Sequence, residues 1–225
     1  MPWAYHPRNL SKMCPMNSKA ISHMKDGERL FCSEVEVRRG DMKPSESFEQ
    51  KSHAEMSGAV VVQLMQLFEQ NGIDVVVDGG WGVDALLGEQ TRSHQDLDIA
   101  LQHKDVPKLR ELLEARGYKD VPRNDSWECN FVMGDDKGHE VDVHSYTYDA
   151  HGKLVFGVEY PFGSLTGTGL IQGYPVQCIS PEWMVKFHSG YELDADDCRD
   201  VSALCERFGI ALPAEYEKFT REGAQ

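Results

Sequence analysis

Asp78-Gly79-Gly80-Trp81, followed at a distance by Asp96-Leu97-Asp98-Ile99, is the text whose reading decides the fold. The segment ahead of it, Ile73-Asp74-Val75-Val76-Val77, is short and β-branched, as a buried strand should be, so a glycine pair leaves that strand directly. Side chains alternate between the two faces of a strand, so Asp96 and Asp98 project together while Leu97 and Ile99 face the core. Two carboxylates held that close repel each other unless a cation sits between them. Mg²⁺ suits that place because it takes a few carboxylate oxygens together with substrate phosphates.

Outward from this stretch, Val61, Leu64, Met65, Leu67 and Phe68 recur at helical spacing from Met56 to Gln70, and Asn71-Gly72 supplies a stop. Trp81 to Leu87 reads as a helix ended by Gly88, and Asp96 to Leu101 as the second strand. Val106, Leu109, Leu112 and Leu113 predict an amphipathic helix over Asp105 to Arg116, closed by Gly117. The turn chemistry of Gly134-Asp135-Asp136-Lys137-Gly138 predicts a hairpin of Trp127–Met133 with His139–Tyr146. A second hairpin is expected over Gly169 to Ile179, turning at Gly173-Tyr174-Pro175. Ser180-Pro181 opens a further helix with Ser as N-cap, and Asp194 to Phe208 and Pro213 to Phe219 are read as helical.

These elements predict an α+β fold, a mixed sheet with helices over 56–180 plus a small helical part over 181–225. Residues 1–55 mix Pro, Ser, Lys and Glu with brief apolar runs and read as a loosely ordered extension without an assigned function.

At 225 residues and 40% hydrophobic the chain can bury one good core. No apolar run approaches membrane-spanning length and the start lacks the pattern of a secretory signal, so a cytoplasmic protein with no membrane partner is expected. A formal net charge of -14 without a basic strip argues against nucleic acid as a partner. The six cysteines show no CxxC pair, and Cys198 and Cys205 share a helix face, which points to buried reduced thiols. From Gly190 onward nine acids face four bases, read as a solvated helix face with a cation-attracting surface as the alternative.

A third acid is expected on a neighbouring strand, to complete a metal site and take the proton from an attacking hydroxyl. In Glu140-Val141-Asp142-Val143-His144, Asp142 points away from the two valines, on the face shared with Glu140 and His144.

The apolar strand, Gly79-Gly80, short helix, Asp96-x-Asp98 and later Asp142 resemble the nucleotidyltransferase superfamily with a polymerase-β-like palm. The longer text Asp78-Gly79-Gly80-Trp81-Gly82-Val83-Asp84 and Gly88-x-Gln90-Thr91-Arg92-x-His94-x-Asp96-Leu97-Asp98 is similar to the antibiotic nucleotidyltransferases. The small lincosamide enzymes are the nearer likeness and the aminoglycoside 2''-type enzymes the more distant. A second block, Pro175 to Glu182 and Phe187-His188-Ser189-Gly190-Tyr191 with Asp197 and Asp200-Val201, extends the resemblance from about residue 56 to about 208.

The resemblance implies an enzyme that moves a nucleoside monophosphate, usually AMP from ATP, to a small-molecule hydroxyl with release of pyrophosphate. Asp96, Asp98 and Asp142 are then the metal ligands and catalytic acids, with Mg²⁺ as cofactor and Asp142 as general base, Glu140 being the fallback. Gly79 and Gly80 let the backbone approach the triphosphate at a helix start, and Arg92, His94 and Lys186 are candidate nucleotide contacts. Loop bracing for Arg92 and His94, a solvated helix position for Lys186, and an Asp84–Arg92 pair are the plain structural alternatives. The implied acceptor is an antibiotic, lincosamide first and aminoglycoside second, on a homodimer. An antitoxin acting on a partner protein, or a transferase for an unrelated metabolite, is the competing expectation.

Overall fold

Ser57 opens the first helix, its hydroxyl accepting from the Val60 N–H, and α1 (Gly58–Gln70) buries Val61, Leu64, Met65, Leu67 and Phe68 along one stripe, as the spacing predicts. The computed structural model describes residues 55–217. The extension expected over 1–55, apart from Glu55, and the chain after 217 lie outside the described residues. Asn71 caps α1 and hands the chain to β1 (Val75–Val77), buried throughout.

The glycine pair does not precede the next helix but begins it. Asp78 lies in extended backbone and its carboxylate accepts the Gly79 N–H at 2.8 Å, so α2 (Gly79–Leu87) starts two residues earlier than the sequence reading and stops at left-handed Gly88. β2 (Asp96–Gln102) and α3 (Val106–Glu114) follow as expected. The first hairpin is β4 (Asn130–Gly134) with β5 (Glu140–Tyr148). Two strands escaped the sequence reading: β3 (Lys119–Val121), whose first two residues are exposed and charged, and the four-residue β6 (Leu154–Gly157).

β7 (Gly167–Ile171) and β8 (Tyr174–Cys178) form the second hairpin, but its turn is Gln172-Gly173. Both residues have positive φ, 50° and 80°, as a two-residue type I′ turn requires, so Tyr174 and Pro175 belong to the strand rather than the turn. α4 (Pro181–Phe187) begins at Ser180, whose side chain makes no capping bond. α5 (Ala195–Phe208) carries a capping box of Asp194 and Asp197 and ends at Gly209; residues 214–217 are helical again.

The strands form one mixed sheet in the order β3-β4-β5-β2-β1-β8-β7, with β6 on the end of β5. β2 runs parallel to β5 and β1 parallel to β8, while the other pairs are antiparallel. This is the α+β arrangement expected. Leu97, Ile99, Val141 and Val143 are fully buried, each contributing about 1.5–3 kcal/mol. Their burial opposes a one-residue slip of β2 on β5, which would turn the slipping strand's two toward the opposite face. Cys129, Cys178, Cys198 and Cys205 are buried free thiols. Among the described residues no helix is long and apolar enough to cross a membrane.

Candidate active site

The register that buries those four aliphatic side chains sets Asp96 opposite Glu140 and Asp98 opposite Asp142. Adjacent strands lie about 5 Å apart, so four carboxylates share one face at the heart of the sheet. Val132 of β4 lies on the other side of Asp142. Asp142 Oδ1 is buried without a hydrogen-bond partner, 3.5 Å from His144 Nε2. Burial, then Asp96 and Asp125, hold the Asp142 carboxyl above the usual range, against the lowering effects of His144 and Arg123.

A buried carboxylate pushed up by other carboxylates is a fitting neighbour for a cation, and a donor set made only of carboxylate oxygens suits Mg²⁺. Among the described residues no three His, Cys, Asp or Glu side chains close into a metal cage on their own. Mg²⁺ does not ask for one, because it completes its octahedron with water and substrate phosphate.

Asp96, Glu140 and Asp142 open onto a cleft of about 280 Å³ shared with Arg123, Asp125, Ser126 and Asn130. Arg123 donates to Glu140 Oε2 at 2.6 Å, which leaves the acids in excess.

On the other side of Asp98 stands the start of α2. Gly79 has φ +56°, and a Cβ there would lie 2.1 Å from Asp98 Oδ2. A Cβ on Gly80 would lie 2.5 Å from His94 Nδ1 and 2.6 Å from Arg92 Nη2. Gly79 is favoured by its left-handed backbone and at Gly80 a side chain would have to displace His94 and Arg92, so the pair brings the helix start against the acid strand and the loop 88–95.

The structure thus gathers Gly79, Gly80, Arg92, His94, Asp96, Asp98 and Asp142 in one region. Asp84 receives the Thr91 N–H and hydroxyl and pairs with His94 Nε2 at 2.5 Å, so the expected Asp84–Arg92 pair is replaced by Asp84–His94. Arg92 instead forks onto Asp200 of α5, with Nη2–Oδ2 at 2.9 Å. Burial pulls the Arg92 pKa down, but Asp200 more than restores it, so the guanidinium stays charged. Lys186 does not join this group: it is exposed on α4 with its ammonium 4.2 Å from the centre of the Trp183 ring. His188 Nδ1 donates to the Met184 carbonyl and Tyr191 donates to Asp197, both packing roles.

Four participants were given no role in the sequence reading. Tyr160 donates to Asp78 Oδ2 at 2.8 Å, a contact across 82 residues that no local pattern announces. Arg123 and Asp125 lie in a loop without periodicity. Asp200 was legible in principle: it shares a helical stripe with Asp197, Val201 and Leu204, all buried, and so belongs to the core face and not to a solvated acidic one.

The sequence profile of the aminoglycoside-2''-adenylyltransferase family matches residues 60–204. A lincosamide resistance protein of Staphylococcus haemolyticus is 31% identical over 148 residues, covering 63% of this chain and 89% of the relative. The lincomycin-bound structure of the lincosamide antibiotic adenylyltransferase LnuA superposes with a TM-score of 0.61 at 25% identity, covering 70% of this chain and 100% of that one. ANT(2'')-Ia in complex with adenylyl-2''-tobramycin shares the fold, with a TM-score of 0.57 at 19% identity over 74% of this chain and 95% of that one.

Proposed function

The chain belongs to the aminoglycoside-2''-adenylyltransferase family, and from that premise we propose that it transfers AMP from ATP to a hydroxyl of an antibiotic, a lincosamide before an aminoglycoside. The observation that carries this reading is the pairing of Asp96 and Asp98 with Glu140 and Asp142 across β2 and β5, beside the glycine start of α2. The S. haemolyticus relative favours a lincosamide acceptor. A cleft lined by Asp96, Asp125, Glu140 and Asp142 suits an acceptor with a protonated amine, which both drug classes carry.

Asp96, Asp98 and Asp142 would hold Mg²⁺, which supplies neutralising charge to the α-phosphate and to the departing pyrophosphate. The start of α2 offers amide N–H groups to phosphate oxygens, with Arg92 and His94 beside Gly80. Asp142 takes the proton of the acceptor hydroxyl as its oxygen bonds to the α-phosphorus and the bond from that phosphorus to pyrophosphate breaks. A carboxylate whose pKa is raised by burial is a better base for that step than an exposed one. Glu140, engaged by Arg123, is less suited to the task. Lys186 has no part in this assignment. A homodimer in the cytoplasm completes the reading.

Incubation with Mg²⁺, each of the four nucleoside triphosphates, and lincomycin or kanamycin, followed by mass spectrometry of the drug, tests it. A drug heavier by one nucleotide, with pyrophosphate released, is the expected result. No mass gain on either drug and no pyrophosphate would overturn it.

A further inference from the structure

Arg92 joins the glycine start of α2 to a helix more than a hundred residues further along the chain. Its partner Asp200 is only 2% exposed on the buried face of α5, among Cys198, Val201, Leu204 and Cys205. The contact is two-pronged: Nη2 reaches Oδ2 at 2.9 Å, and Nε is shared between Oδ2 at 3.2 Å and Oδ1 at 3.4 Å. Such a fork fixes the plane of a guanidinium as well as its position. Nη1 donates to the Ser93 carbonyl at 3.3 Å, which holds the third edge.

Folding alone does not explain a buried carboxylate at this place. An apolar residue of similar volume would suit the face of α5 and avoid the desolvation of the charge. What the ion pair achieves is direction. Nη2, the nitrogen that Asp200 grips most closely, is also the arginine atom that would meet a Cβ on Gly80 at 2.6 Å. A guanidinium has five N–H donors, and the contacts to Asp200 and Ser93 use three of them. Of the two that remain, one is on Nη2, the nitrogen beside Gly80 at the helix start, where His94 Nδ1 also lies.

We propose that Asp200 is a positioning residue for nucleotide binding: it holds Arg92 over Gly80, where the guanidinium meets the triphosphate at the start of α2. Nucleotide affinity is thereby tied to the docking of α5 on the nucleotide end of the molecule. The inference rests on the transferase reading above.

The test uses the full chain with Asp200→Asn, Arg92→Lys and the double variant, reading ATP affinity by calorimetry without drug, the KM for ATP and for drug separately, and the melting temperature. Asp200→Asn keeps the volume and an acceptor oxygen while removing the charge; Arg92→Lys keeps the charge and removes the fork. Each single variant is expected to weaken ATP binding about tenfold, equivalent to about 1.4 kcal/mol, with the KM for drug unchanged. The double variant is expected to be no weaker than the worse single one, as residues acting through one contact are not additive. ATP affinity equal to wild type in Asp200→Asn, with only a lower melting temperature, would make the pair a strut and overturn the inference. Should Asp200→Asn not fold, unchanged ATP affinity in Arg92→Lys overturns it equally. Wild-type protein that binds no ATP at all sinks the transferase reading itself, a different result from variants that bind ATP as well as the wild type does.

Discussion

Around the glycine pair the buried charged side chains have partners within the chain, whereas beneath Asp142 several buried polar atoms have none. Asp78 is held by Gly79 and Tyr160, Asp84 by Thr91 and His94, and Asp200 by Arg92. On β4 and β5, by contrast, Asn130 Oδ1, Asp142 Oδ1 and both ring nitrogens of His144 lack hydrogen bonds. An unsatisfied buried polar group costs about 1–3 kcal/mol. Apart from Trp81 Nε1, which is buried without a hydrogen bond, the end we assign to the nucleotide is therefore shaped by the fold's own bonds. The end to which we assign the proton transfer carries polarity that the fold itself leaves unsatisfied.

Three substitutions break or sharpen that contrast. Gly79→Ala should be the most damaging, because it adds a Cβ 2.1 Å from Asp98 Oδ2 at a position with φ +56°. Turnover should fall by about 10³-fold or more, the scale of losing a preorganised electrostatic contact, as read by pyrophosphate release. Asp84→Ala strips the acceptor from Thr91 and His94 and should cost about 1–3 kcal/mol in urea unfolding. The pre-bonded end should thus lose stability first and activity second. Glu140→Gln should do least: its pair with half-exposed Arg123 contributes about 0–1 kcal/mol, and turnover should stay within a few-fold. Abolished turnover in Glu140→Gln would transfer the role of base from Asp142 to Glu140.

The sequence carried the acid strands well and the links between distant elements poorly. Alternation alone placed Asp96 with Asp98 opposite Leu97 and Ile99, and Asp142 with Glu140 opposite Val141 and Val143, while the pairing of the two strands came from the fold. Residue identity also announced most helix ends, such as Asn71-Gly72 and Gly209. Partner choice was not legible in the same way. Thr91, Arg92 and His94 lie within four residues of one another, yet Thr91 and His94 turn to Asp84 and Arg92 to Asp200, a division decided by how α5 packs on α2. The Gln172-Gly173 turn was obscured for a different reason: glutamine seldom takes positive φ, so Tyr174-Pro175 looked the stronger turn signal.

Asp142→Asn tests the central claim most directly, when product formation and the melting temperature of the metal-free protein are measured on the same sample. The folded-state pKa of Asp142 is raised, so between its unfolded value and its folded one the native state binds the extra proton and stability falls as pH rises. Above the folded pKa the full penalty of the buried carboxylate is present, and asparagine removes it. The account predicts no nucleotide-bearing drug from Asp142→Asn, and a melting point a few degrees above wild type at pH 7.5 that converges with wild type toward pH 4. Retained turnover together with a lower melting point at pH 7.5 would contradict it.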